Sequence, residues 1–229
     1  MMDVLYQISV AAIPILLAIT FHEVAHGFVA RQYGDPTAAE AGRLSLNPLR
    51  HIDPFGTVIL PGMLLFAGLP PFGYAKPVPV DFRRLQNPKR DMIWVAAAGP
   101  SVNLFMAIGA ALLLNATAVL SGGAQAWFQT MLQTAIAVNI VLFVFNMIPL
   151  PPLDGGRVAV GILPLGLARP LARLERYGMF IIFGALLIPA LVNQFFGTNF
   201  HPVWAIIQPA VKFLYKGITG LFILIPGIS

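Results

Sequence analysis

The 229-residue chain is 58% hydrophobic and 10% charged, where an average soluble domain carries roughly 25% charged residues; this excludes an ordinary soluble globule and suits one polytopic membrane bundle. With no cysteine, disulfides are excluded and any metal must be held by His, Asp, Glu or water. The net charge of +5 does not signal nucleic acid, because the basic residues sit in loops beside apolar runs, where the positive-inside effect accounts for them.

Apolar segments run at about Val4–Arg31, Phe55–Phe72, Met92–Leu120, Trp127–Leu150, Tyr177–Phe196 and Val203–Ile228. A helix needs about 20 apolar residues to cross the hydrocarbon core, and five of the six reach that length. The first is not expected to be a signal peptide, since Met1-Met2-Asp3 opens it with no basic residue. Near its end stands His22-Glu23-Val24-Ala25-His26. On a helix this spacing puts two imidazoles one turn apart on one face, where they can grip one zinc ion. The intervening Glu23 lies beside them, where a carboxylate can take a proton from water. Ionisable residues inside an apolar helix are costly and point to function.

In the following loop, Ala41–Pro48 alternates apolar and polar residues, and Tyr74–Val80 contains Pro77 and Pro79. Both read as short strands forming a small cytoplasmic-side β element, one edge of which could take up an unfolded substrate segment. His51 is expected to be a solvated loop histidine and Asp53 a backbone cap. Between these stretches Phe55–Phe72 is too short to cross and is interrupted by Pro61 and Gly62, so it is expected to be re-entrant. The charges agree: a re-entrant segment leaves Arg31, Arg43, Arg50, Lys76, Arg83, Arg84, Lys89 and Arg90 on one side, joined by Arg157, Arg169, Arg173 and Arg176. The opposite connections, Ser121–Ala126 and Gly197–Pro202, contain no Lys or Arg. The amino terminus is therefore expected outside and the H-E-x-x-H end of the first helix toward the cytoplasm.

Small residues Ala96, Ala97, Ala98 and Gly99 suggest close helix packing, and Asn103 and Asn139 interhelical hydrogen bonds. A third metal ligand is needed to complete a catalytic zinc site. Asp154 is the best placed acid, following the broken helix end Asn146-Met147-Ile148-Pro149-Leu150-Pro151-Pro152-Leu153-Asp154-Gly155-Gly156. His201 lies in the opposite connection, away from any such site. In the last segment, Pro209, Lys212 and Lys216 suggest that its first half lies in the interface, with the lysines snorkelling.

H-E-x-x-H in a membrane helix, followed by N-x-x-P-x-P-x-L-D-G-G, resembles the site-2 protease family of intramembrane zinc metalloproteases. Asn47-Pro48-Leu49-Arg50-His51-Ile52-Asp53-Pro54-Phe55-Gly56-Thr57 and Ala98-Gly99-Pro100-Ser101-Val102-Asn103 resemble stretches of its compact members, those without PDZ or CBS domains. The likeness runs from about Ile15 to Arg157. It implies one zinc held by His22, His26 and Asp154, Glu23 as general base, and Asn146 in substrate binding or behind a ligand. The implied partners are a transmembrane protein substrate and the lipid bilayer, with no nucleic acid; the sequence carries no signal for oligomeric state.

The expectation is thus an all-α polytopic protein, with about five transmembrane helices, a re-entrant segment and a small β element. Residues 1–229 form one integral-membrane metalloprotease domain, its catalytic core at about 4–157 and accessory helices at about 177–228. The setting is a multi-pass protein of a prokaryotic cytoplasmic membrane, its site toward the cytoplasm. The alternative is a catalytically silent membrane chaperone or scaffold of the same fold. A transporter is disfavoured because neither motif has a second copy.

Overall fold

The computed structural model describes residues 2–69 and 73–224, and nine α-helices lie among them. The centre is a three-helix core of α1 (Met2–Gln32), α4 (Pro88–Ala116) and α5 (Gly122–Asn146). Ala107, Ala110 and Ala111 of α4 lie at helical spacing and pack against Leu132, Ile136 and Ile140 of α5. Small side chains let the two backbones approach, and in lipid such packing replaces the hydrophobic drive that water would supply.

The remaining helices are α2 (Thr37–Glu40), α3 (Leu60–Phe66), α6 (Asp154–Ile162), α7 (Leu165–Arg173), α8 (Glu175–Phe196) and α9 (Pro202–Phe222). Four helices, α1, α4, α5 and α8, are long and apolar enough to cross a membrane, against the five expected. The fifth segment, α9, is not among them. It begins beside the last turn of α8, where Asn193 Nδ2 donates to Phe200 O. It ends beside the last turn of α4, where Asn115 Nδ2 donates to Phe222 O and Leu224 N donates to Asn115 Oδ1. Both are the ends remote from Asp154, so α9 does not run through the bundle as a simple crossing. Residues 225–228 of the expected segment lie outside the described residues.

The short segment starts with a π-helical turn, Pro54–Ile59, continued by α3. Asp53 caps it as expected, its Oδ1 accepting the Gly56 N–H at 2.6 Å. Residues 70–72 of this segment lie outside the description, but the chain on either side is tied together. Tyr74 N donates to Gly56 O at 3.0 Å, and Lys76 N to His51 O at 2.9 Å. The chain thus leaves the hairpin where it entered.

The β element is not found: no strand occurs among the described residues. The N–H groups of Tyr74, Lys76 and Val78 go to three separate partners, Gly56 O, His51 O and the Glu23 carboxylate. Pro77 and Pro79 offer none, so no ladder can propagate. In the other stretch Arg43 N turns back to Ala38 O and Ser45 N to Arg43 O, which is turn geometry. His51 also differs from expectation. It is 2% exposed, and its Nε2 lies 2.8 Å from Ser45 O, so it braces the loop from inside.

Candidate active site

His22 and His26 project from one face of α1 toward the first residue of α6. His22 Nε2 lies 3.2 Å from Asp154 Oδ2, His26 Nε2 lies 3.4 Å from it, and the two Nε2 atoms are 3.1 Å apart. Zinc bonds of about 2.0–2.2 Å at the tetrahedral angle put neighbouring ligand atoms about 3.3–3.6 Å apart, so the triangle is within a few tenths of an ångström of the size a zinc ion needs. The side chains are 11%, 12% and 8% exposed. Asp154 Oδ2 is buried with no hydrogen-bond donor among the described residues, a costly state that a cation would relieve. A metal ligand is needed in its ionised form, and a carboxylate bound to a cation takes that form.

Local sequence explains why Asp154 can be there. The prolines at 149, 151 and 152 end α5's run, and α6 restarts at Asp154 itself. A Cβ at Gly155 would strike Met147 O, and one at Gly156 would strike Pro151 N. Only glycines let the first turn of α6 fold back onto the preceding loop and hold the carboxylate against α1.

Both imidazoles are fixed from behind. His26 Nδ1 lies 2.7 Å from Val95 O, and His22 Nδ1 lies 2.6 Å from Asn103 Oδ1. An oxygen of this kind accepts, so each Nδ1 carries the proton and each Nε2 turns its lone pair toward Asp154. Gly99 clears the space in front. A Cβ there would collide with His26 Nε2 and stand 2.7 Å from His22 Cε1 and Nε2. Sequence reasoning took Gly99 and Asn103 for packing and interhelical glue; their spacing of four on α4, the spacing of the two histidines on α1, was the available signal.

Glu23 is half-buried, and its Oε2 accepts the Val78 N–H at 2.7 Å. With His22 it lines a cavity of about 660 Å³ walled by α1, α5, α8, the start of α9 and the strap Gly73–Ala75. Asn146 lines the same cavity; its Nδ2 donates to Leu142 O at 3.0 Å, and no hydrogen bond joins it to the His–Asp cluster. His201 is not part of the cluster but does line the cavity.

The chain is 40% identical over 187 residues to the candidate zinc metalloprotease YwhC of Bacillus subtilis (strain 168), a match covering 78% of this chain and 80% of that protein. The chain belongs to the site-2 protease family, peptidase family M50. The family's own pattern matches residues 116–189, which include Asp154 but not the histidines. Two further M50 relatives are candidate zinc metalloproteases named Rip2. That of Mycolicibacterium smegmatis is 30% identical over 182 residues, covering 79% of this chain and 68% of the relative. That of Mycobacterium tuberculosis (strain H37Rv) is 32% identical over 187 residues, covering 80% and 68%. No solved structure matches the chain. Family membership and four long apolar helices together make this M50 peptidase a multi-pass membrane protein.

Proposed function

We propose that the chain is an intramembrane zinc metalloprotease that hydrolyses peptide bonds in or near transmembrane segments of membrane-protein substrates. The observation that carries this reading is the convergence of His22, His26 and Asp154, with a carboxylate oxygen that has no donor among the described residues, beside a large apolar cavity that His22 and Glu23 line. These three residues would hold one zinc ion. Zinc, when bound, supplies a Lewis acid that acidifies water and polarises a peptide carbonyl. In this reading Glu23, which lines the cavity with His22, takes the proton from the attacking water and returns it to the departing amine nitrogen.

The cavity supports a substrate in extended form. Tyr74 and Lys76 direct their N–H groups away to Gly56 and His51. In extended chain alternate residues face opposite ways, so the N–H and C=O of Ala75, which lines the cavity, face away from the side on which Gly56 and His51 lie. Neither of these Ala75 groups has a partner among the described residues. A substrate strand laid beside Ala75 would gain main-chain hydrogen bonds next to Glu23, and its helix must unwind there to offer them. Asn146, on the same wall with its Oδ1 uncommitted among the described residues, is suited to a substrate amide. The accessory helices α8 and α9 complete this wall, so residues 1–229 act as one domain. The Lys and Arg asymmetry supports a cytoplasmic-membrane protein with its amino terminus outside and its site toward the cytoplasm.

The test is zinc content and cleavage of a transmembrane substrate in vesicles, for the wild type beside Glu23→Gln. Zinc in both with cleavage lost only in the variant establishes the protease and the role of Glu23. Zinc in both with cleavage by neither moves the assignment to a silent scaffold, and a wild type without zinc removes the metal centre itself.

A further inference from the structure

Behind His22 a line of side-chain amides crosses three helices. His22 Nδ1, on α1, lies 2.6 Å from Asn103 Oδ1, on α4. Asn103 Nδ2 donates to Asn139 Oδ1, on α5, at 2.9 Å, and to Ala18 O, one turn before His22, at 3.2 Å. Asn139 Nδ2 donates in turn to Ala135 O at 2.9 Å. Asn103 is 0% and Asn139 1% exposed, so neither amide has water to turn to.

The direction of this line is not a free choice. Main-chain carbonyls only accept, so Ala135 O fixes which end of Asn139 faces it, and that leaves Asn139 Oδ1 toward Asn103. Asn103 then meets two acceptors, Asn139 Oδ1 and Ala18 O, and must give both its amide nitrogen. Its oxygen is left for His22. Reversing either amide would set acceptor against acceptor in a buried, apolar setting and leave polar groups unsatisfied where no water can reach them. His26 needs no such device, because Val95 O meets its Nδ1 directly.

We infer that Asn139, which touches no metal ligand, is a positioning residue: through Asn103 it fixes the ring orientation and tautomer in which His22 offers Nε2 to the metal. The inference rests on the zinc reading above. Partners that orient ligating histidines typically change metal affinity about 10–100-fold when removed, and residues acting in one chain lose their effects non-additively.

The experiment is a zinc competition titration against a chromophoric chelator, with the detergent-solubilised full chain, for Asn103→Leu, Asn139→Leu, their double variant and Asn139→Asp. The visible spectrum of the cobalt(II)-loaded proteins reports ligand geometry alongside. Asn103→Leu is expected to weaken zinc about 10–100-fold and Asn139→Leu about tenfold, with the double variant no weaker than Asn103→Leu alone. Asn139→Asp, neutral in this surrounding, replaces the amide with a hydroxyl that donates to Ala135 O and an oxygen that accepts from Asn103; it is expected to keep wild-type affinity and the wild-type cobalt spectrum. If Asn139→Leu does not fold, Asn139→Ser, whose hydroxyl reaches Ala135 O but not Asn103, carries the same expectation. Wild-type affinity in Asn139→Leu or Asn139→Ser, full additivity in the double variant, or equal loss in Asn139→Asp would overturn the inference. A wild type that binds no zinc would instead overturn the reading beneath it.

Discussion

Gly99 is where one methyl group decides most at the residue scale. The added Cβ of Gly99→Ala would stand on the two ring nitrogens that face Asp154, and α4 cannot retreat because it is wedged between α1 and α5. The variant is expected to insert in the membrane but to carry less than a tenth of the wild-type zinc, measured by elemental analysis of the purified protein. Wild-type zinc content would mean that the rings can swing aside. The metal-ligand candidates were legible in the sequence because their signals are local: two histidines four apart, and an acid beside glycines and prolines. Gly99 and Asn103 were visible as small and polar residues in an apolar run and as part of a stretch resembling the family, but not in the roles they have here. Their task depends on which face of α4 meets α1, and in a helix apolar on all sides no periodicity reveals that face.

At the scale of elements the strap from Gly73 to Val80 joins the hairpin to the site. Ala75→Pro removes an N–H that bonds to nothing among the described residues, so it spares the fold while blunting the edge offered to substrate. One net hydrogen bond is worth about 0.5–1.5 kcal/mol, and kcat/KM is expected to fall about two- to tenfold with zinc content unchanged. Unchanged kcat/KM would place substrate elsewhere. The long helices were readable from apolar length alone. The strands were not, because alternation and proline report an extended chain but not what its N–H groups will meet. Here they meet Gly56, His51 and Glu23 one at a time, and a sheet never starts. His51 was misread for a related reason: burial of a loop histidine is set by the hairpin folding over it, a contact between distant stretches of chain.

For the whole molecule, the closed hairpin and the one-sided charge make a joint prediction. Arg50 and Lys76 flank the hairpin, and Lys76 N is bonded to His51 O, so both positions must lie at the same face. In intact cells Arg50→Cys, Lys76→Cys and Arg169→Cys are expected to resist an impermeant thiol reagent, while Gly122→Cys and Asn199→Cys react. Reaction at Lys76→Cys but not Arg50→Cys would mean that the hairpin crosses. The number of spans was the least legible global property. Segment lengths suggested five, but the last helix has both ends at the same end of the bundle, and hydropathy carries no record of where a helix ends in space.

More than half of the chain separates His26 from Asp154, and the two are brought together only by α4, α5 and the glycine turn at the head of α6. A chain emerging from the ribosome in order therefore carries its histidines and Glu23 through most of its own synthesis without a third ligand to close the site. Its reactive centre is completed late, after three long helices have inserted and docked. If the proposed intramembrane protease activity holds, that order of synthesis keeps the growing polypeptide, itself a membrane segment, from meeting a finished site of its own.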